Sequence, residues 1–173
     1  MEKNVKSLST YALSIAIVML ATLFLKVPTP TGYDNLGGCF ILVIATFVNP
    51  IGALLAGGIG SMLADIMSGY AVWAIPTLII KGSMGFLAAI LLRKECCKKK
   101  LQIKSVRVYL FAILMSLYVV AGYLIAGIYV IGTIPGSLAQ TPGLLVEAVV
   151  TVITYIVAAS ALEQVKFRKL VDL

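Results

Sequence analysis

The stretch from Ile51 to Leu92, IGALLAGGIGSMLADIMSGYAVWAIPTLIIKGSMGFLAAILL, decides the fold. It holds two apolar runs, residues 51–67 and 73–92, separated by Ser68, Gly69 and Tyr70, and its only charged side chains are Asp65 and Lys81. A helix of about 20 residues is roughly 30 Å long, the thickness of a bilayer's hydrocarbon core. Spanning backbone must satisfy its own hydrogen bonds, so the choice lies between helices and a closed barrel. Neither run shows the two-residue alternation of a barrel strand. These segments therefore read as antiparallel neighbouring transmembrane helices, and the bilayer as the solvent of the chain.

Working outward, the same pattern recurs. Residues 8–25 form an apolar run that ends at Lys26, after which Pro28, Thr29, Pro30, Thr31 and Gly32 forbid continued helix. Residues 36–48 make a shorter run, whose end protein must cover, and Asn49-Pro50 breaks it from the next. Pro76 lies near the start of the fourth run, where it kinks the helix or sits in its first turn. A basic linker at 93–107 precedes a fifth run at 108–134. Pro135-Gly136 through Pro142-Gly143 reads as a loop before a sixth run at 144–162. The expected fold is all-α, one bundle of six transmembrane helices forming a single domain over 1–173. Hydrophobic residues make up 61% of the chain, too many for a soluble core of 173 residues, and no separate soluble catalytic domain fits beside the bundle. Lys3 and Lys6 before an apolar run resemble the start of a signal peptide, but no convincing cleavage site comes after it, so the segment is expected to stay as a span.

Charge sets the expected orientation. All fourteen lysines and arginines except Lys26 and Lys81 fall before the first run, in the basic linker, or after the sixth, which places both termini in the cytoplasm under the positive-inside rule. The net charge of +7 thus belongs to membrane topology rather than to nucleic acid. Cys39, Cys96 and Cys97 form no CxxC pair, and no disulfide framework is expected. A chain without histidine builds neither an HExxH zinc site nor a Ser-His-Asp triad. The GGIG run at 57–60 lies inside an apolar span and lacks the Gly-Lys-Ser/Thr ending of a phosphate loop. No catalytic residue, metal ligand or nucleotide site emerges.

The remaining charges are Asp34, Asp65, Lys81 and Glu147, all toward the outer side of the expected bundle. An ionisable group in hydrocarbon costs roughly 3 kcal/mol or more, so each should face the interior or a wet cavity and find a partner. Asp65 and Lys81, on adjacent antiparallel spans, are one candidate pair. Glu147 is a cavity group or a carboxylate hydrated near the headgroups. Thr77 lies four residues before Lys81 and Thr151 four after Glu147, each on the same helix face. Tyr33, Asn35, Tyr70, Trp73, Tyr123 and Tyr129 supply rings and an amide for a flat heterocyclic solute, although Tyr and Trp also collect at membrane interfaces. The candidate binding set is Tyr33, Asn35, Asp65, Tyr70, Trp73, Thr77, Lys81, Tyr123, Glu147 and Thr151. Ala12 and Ala16 make an AxxxA on the first helix, and the glycines at 57, 58 and 60 flatten the third, both allowing close helix approach.

Pro28 to Gly38 (PTPTGYDNLGG), Ala53 to Trp73 (ALLAGGIGSMLADIMSGYAVW) and Thr77 to Gly82 (TLIIKG) together resemble the S component of an energy-coupling factor (ECF) vitamin transporter. The resemblance is to the branch associated with riboflavin, hydroxymethylpyrimidine and vitamin B6 compounds. It implies a multi-pass protein of a prokaryotic plasma membrane that captures a water-soluble vitamin from outside, pyridoxine or a hydroxymethylpyrimidine first and riboflavin next. It also implies docking through Ala12 and Ala16 on the ECF transmembrane coupling subunit (EcfT type). Two partner ATPase subunits would use ATP and Mg, with no cofactor in this chain. The loaded subunit would topple in the bilayer, with the loops around Tyr33 to Gly38 and before the sixth span capping the vitamin. Relatives often carry an acid where this chain has Gly38, a role Asp34 is placed to fill. The competing readings are a stand-alone carrier or channel for a small polar solute, and an assembly protein whose charges only pair internally.

Overall fold

The first apolar run folds as α1 (Glu2–Phe24) in a computed structural model that describes residues 2–29, 32–96 and 106–164. Cys97, most of the basic linker, and Lys166, Arg168 and Lys169 lie outside the described residues. The proline-rich segment after α1 is not a plain loop. Lys26–Thr29 (β1) and Gly32–Asn35 (β2) pair as an antiparallel hairpin in which Lys26 faces Asn35 and Pro28 faces Tyr33. This two-stranded ribbon adds one short strand pair to a chain that is otherwise helical, as expected. Proline ends a helix, but a two-stranded ribbon consists of edge strands alone, where a residue without an N–H is tolerated.

The second run gives α2 (Gly37–Phe47), eleven residues and so only about 16 Å long. It is shorter than the membrane core, and most of its residues are buried, from Gly37 to Thr46. Asn49 then caps α3 (Pro50–Met67), its side chain accepting the Gly52 N–H, with Pro50 in the first turn where its missing N–H is harmless. At the far end Gly69 takes a left-handed φ of 84°, and the Tyr70 N–H returns to the Asp65 carbonyl at 2.9 Å, so the last carbonyls of α3 are satisfied and the chain reverses. A single 3-10 turn (Ala71–Trp73) leads into α4 (Ala74–Cys96), in which Pro76 occupies the first turn.

The fifth run is α5 (Val106–Ile131), closed by Gly132 at φ 79°. The segment expected to be a loop at 135–143 instead forms a short helix, α6 (Ile134–Leu138), capped by Thr133, and then the start of α7 (Thr141–Gln164). Pro135 and Pro142 both fall in first turns, so these prolines begin helices rather than interrupt them. Among the described residues, five segments are long and apolar enough to cross a membrane: Val5–Phe24, Pro50–Met67, Ala71–Leu92, Val106–Ile131 and Ile134–Leu162. The expectation of six spans thus meets five of sufficient length and, in α2, a short helix held in the core.

Glycines set how closely the helices pack. A Cβ at Gly57 would overlap the Lys81 carbonyl and one at Gly85 the Ala53 carbonyl, so α3 and α4 touch backbone to backbone. On the opposite side of α3, a Cβ at Gly60 would come within 2.8 Å of the Ile15 carbonyl on α1. The buried core runs through Val18, Ile41, Leu42, Met84, Ala88 and Tyr155, with α2 at its centre. Large apolar side chains such as Leu8, Ile79, Leu110 and Val157 point outward, the inverse of a soluble protein and the arrangement lipid requires.

Candidate functional site

The close fit of α3 against α4 fixes the backbone around Lys81. Lys81 comes seven residues after the start of α4, roughly 10 Å along its axis, and its side chain is 1% exposed. Its ammonium donates to Asn35 Oδ1 at 2.9 Å and stands 3.6 Å from Glu147 Oε1. Asn35 ends β2, and its side-chain oxygen also accepts the Gly37 N–H at 3.0 Å, so one amide links the hairpin, the start of α2 and the lysine. Glu147, in the second turn of α7, is also buried, though less fully than the lysine, and takes a hydrogen bond from the Asn35 backbone. Three distant parts of the sequence therefore meet at one ammonium group. A buried ion pair holds only when its remaining polar valences are satisfied, and Asn35 meets part of that need.

The lysine thus pairs with Glu147, not with Asp65. Asp65 is buried near the end of α3, but takes no place in the wall of the cavity beside Lys81. Adjacency of the third and fourth spans made Asp65 the natural partner, yet the ammonium is directed across the bundle to α7 and the hairpin. Tyr70, half-buried at the α3–α4 connection, likewise does not line the cavity. Of Tyr33 only the backbone is described, in β2.

An aromatic group adjoins the ion pair. Tyr123 on α5 shares a hydrogen bond with Thr77 at 3.0 Å, its ring lies 5.9 Å from that of Trp73 at a 58° tilt, and the Lys81 ammonium is 6.0 Å from its centroid. Trp73 and Thr77 are buried, which sets them apart from the interfacial aromatics with which sequence confuses them. Tyr129, by contrast, is 83% exposed and belongs to the outer surface of the bundle.

Lys81, Glu147 and Thr151 line one cavity together with Met84, Gly38 and Ser116. It is small, with room for about one water. A Cβ at Gly38 would lie 3.0 Å from Thr151 Oγ1, so α2 and α7 already touch there. The hairpin covers this region. Asp34, half-buried in β2, lies against Gly143 in the first turn of α7, and burial pushes its carboxyl above the ordinary value while the Lys81 ammonium draws it partly back. Ser116 was not among the residues singled out from sequence, and Gly38 was noted only in the capping loop, as the position where relatives often carry an acid. A lone serine or glycine in an apolar span carries no signal that separates a cavity wall from ordinary helix packing.

A helical bundle built for lipid, with an ammonium–carboxylate pair and hydroxyls around an internal cavity, has the form of a membrane-embedded solute-binding protein. The chain belongs to the ECF-type riboflavin transporter S component family, whose description matches residues 2–166. Its long apolar helices mark it as a multi-pass membrane protein, and the family to which it belongs is one of transporters rather than enzymes. An uncharacterised protein from the gap 3′ region of Pyrococcus woesei is 40% identical over 72 residues, a match that spans 40% of this chain and 48% of that protein.

Proposed function

We propose that this chain captures a single-ring, water-soluble vitamin, pyridoxine or a hydroxymethylpyrimidine, in the cavity between Lys81 and Glu147. It would then release the vitamin inward once docked on an ATP-driven ECF module. The observation that carries this reading is the ion pair itself. A buried ammonium and carboxylate present both a donor and an acceptor at one wall of a cavity, and a ring bearing hydroxyl and nitrogen groups can take over both bonds. Tyr123 stands beside Lys81 and Trp73 beside Tyr123, although neither lines the cavity itself. Asn35 ties the hairpin to Lys81, so a ligand that engages the lysine also bears on the cover of the cavity.

Riboflavin is the second reading, favoured by the family description that the chain matches. Its three fused rings demand a much larger opening of the small cavity than one ring does. Energy comes from the coupling subunit and two ATPases. Ala12 is exposed and Ala16 partly so, on a face of α1 that also exposes Leu8 and Leu13, which supports a docking surface there. We place both termini in the cytoplasm of a prokaryotic plasma membrane, and the hairpin outside.

The test is calorimetry on the purified protein in nanodiscs with pyridoxine, the hydroxymethylpyrimidine and riboflavin. The reading expects tight binding of one of the first two. Binding of riboflavin alone selects the second reading, and binding of none rejects both. Uptake into liposomes holding this chain without partners would reject the role of the ATPases.

A further inference from the structure

We propose that the Ser116 hydroxyl is a second, deeper anchor for the solute, so that the cavity selects a flat ring carrying polar groups at opposite edges. This rests on the reading of the cavity as a vitamin site. Ser116 is 4% exposed on α5, lines the same cavity as Lys81 and Glu147, and its Oγ has no hydrogen-bond partner in the protein among the described residues.

Thr22 on α1 and Ser61 on α3 also hold buried hydroxyls without a partner, but neither lines the cavity, and further hydroxyls within the spans are satisfied by their own helices. Thr46 donates to the Leu42 carbonyl at 2.9 Å, Ser83 to Ile79 at 2.5 Å, and Thr154 to Val150 at 2.6 Å, each folding back on its own helix. That is how a helical serine or threonine in an apolar setting normally satisfies itself. Ser116 makes no such bond and borders the cavity instead. A buried hydroxyl held without a protein partner is a standing cost, which a polar group of a bound ligand would relieve.

Depth supplies the second part of the inference. Ser116 precedes Tyr123 by seven residues on α5, so it lies roughly 10 Å further from the hairpin along that helix. Thr151 similarly lies one turn deeper than Glu147 on α7. Between the two levels the wall is apolar, with Met84, Val119 and Val120. The order is thus polar, apolar, polar: an ammonium–carboxylate pair under the hairpin, aliphatic walls, then a hydroxyl floor. An aromatic ring with polar substituents on opposite edges matches that order, whereas a ring polar at one edge only would leave Ser116 unsatisfied.

The experiment is calorimetry on wild type and Ser116→Ala in nanodiscs, with pyridoxine, the hydroxymethylpyrimidine and riboflavin. The methyl-for-hydroxymethyl analogues of the first two complete the panel, and thermal unfolding of the ligand-free proteins runs alongside. We expect Ser116→Ala to bind the preferred ring compound roughly five- to tenfold more weakly. The analogue lacking the relevant hydroxyl should bind both proteins equally. The ligand-free variant should unfold no earlier than wild type, because a hydroxyl with no protein partner adds no stability. Equal affinity of the two proteins for the hydroxylated compound overturns the inference, as does early unfolding of the ligand-free variant, which would reveal a structural bond. If wild type binds none of the compounds, the vitamin reading falls and this inference with it; if wild type binds and Ser116→Ala binds equally, only this inference falls.

Discussion

Replacing Lys81 by methionine keeps most of the aliphatic stem and removes the charge. Glu147 is then left nearly inaccessible to solvent, with the Asn35 backbone as support but no cation. Breaking a buried ion pair from one side costs about 3–5 kcal/mol, because the surviving charge is uncompensated. The lower figure applies if Glu147 takes up a proton to escape that penalty. For a chain of this size, 1 kcal/mol corresponds to roughly 2–4 °C in Tm, so Lys81→Met should unfold on the order of 6–20 °C earlier. Converting Glu147 to glutamine in the same molecule removes the stranded charge and should recover most of the loss. Asn35 Oδ1 keeps its bond from the Gly37 N–H in either variant. Thermal unfolding of wild type, both single variants and the double variant in nanodiscs, completed as a double-mutant cycle, provides the assay. Additive losses, with the double variant less stable than Lys81→Met, would refute the claim that the two side chains act as a pair.

Other predictions concern the frame, the cover and the outer face. Gly57→Ala places a methyl group against the Lys81 carbonyl, and overpacking of that kind costs about 1–3 kcal/mol, so Tm should fall by several degrees while an alanine at the open Gly69 turn acts only through backbone conformation. Asp34 carries a raised carboxyl pKa, so its contribution to stability is full below the unfolded value of about 3.9 and is lost as pH rises through the folded value. Asp34→Asn should therefore unfold later than wild type at neutral pH, with the difference shrinking toward pH 4, and an earlier unfolding at neutral pH would contradict the assignment. Ala12→Leu and Ala16→Leu should leave ligand binding intact while reducing co-purification with the coupling subunit and ATP-driven uptake, and normal uptake by both variants would reject docking through α1.

Much of this arrangement is legible in the chain because the bilayer makes exceptions expensive. The long apolar runs, the brief second run and the break at Asn49-Pro50 read directly from hydropathy and proline. A lysine and a glutamate inside such runs stand out for the same reason. Features decided across the bundle are the ones that sequence misses. Proximity along the chain favours Asp65 for Lys81, but the direction in which a long side chain runs depends on tertiary packing, and here it runs to Glu147, 66 positions further on. The hairpin at Lys26–Asn35 hides because Pro28 and Pro30 signal only where a helix stops and say nothing of strand pairing beyond it. Pro135 and Pro142 mislead in the opposite sense, since proline marks helix starts as well as interruptions. Ser116 is invisible in sequence because its distinguishing property is a bond it does not make.

The central claim is that the Lys81–Glu147 cavity holds one small ring compound within the membrane. Native mass spectrometry of the protein purified from membranes tests it most directly, comparing wild type with the Lys81→Met, Glu147→Gln double variant at equal yield. The account predicts a single ring compound retained one-to-one by wild type and absent from the double variant. Equal retention by both, or none by wild type supplied with each candidate vitamin, would contradict it.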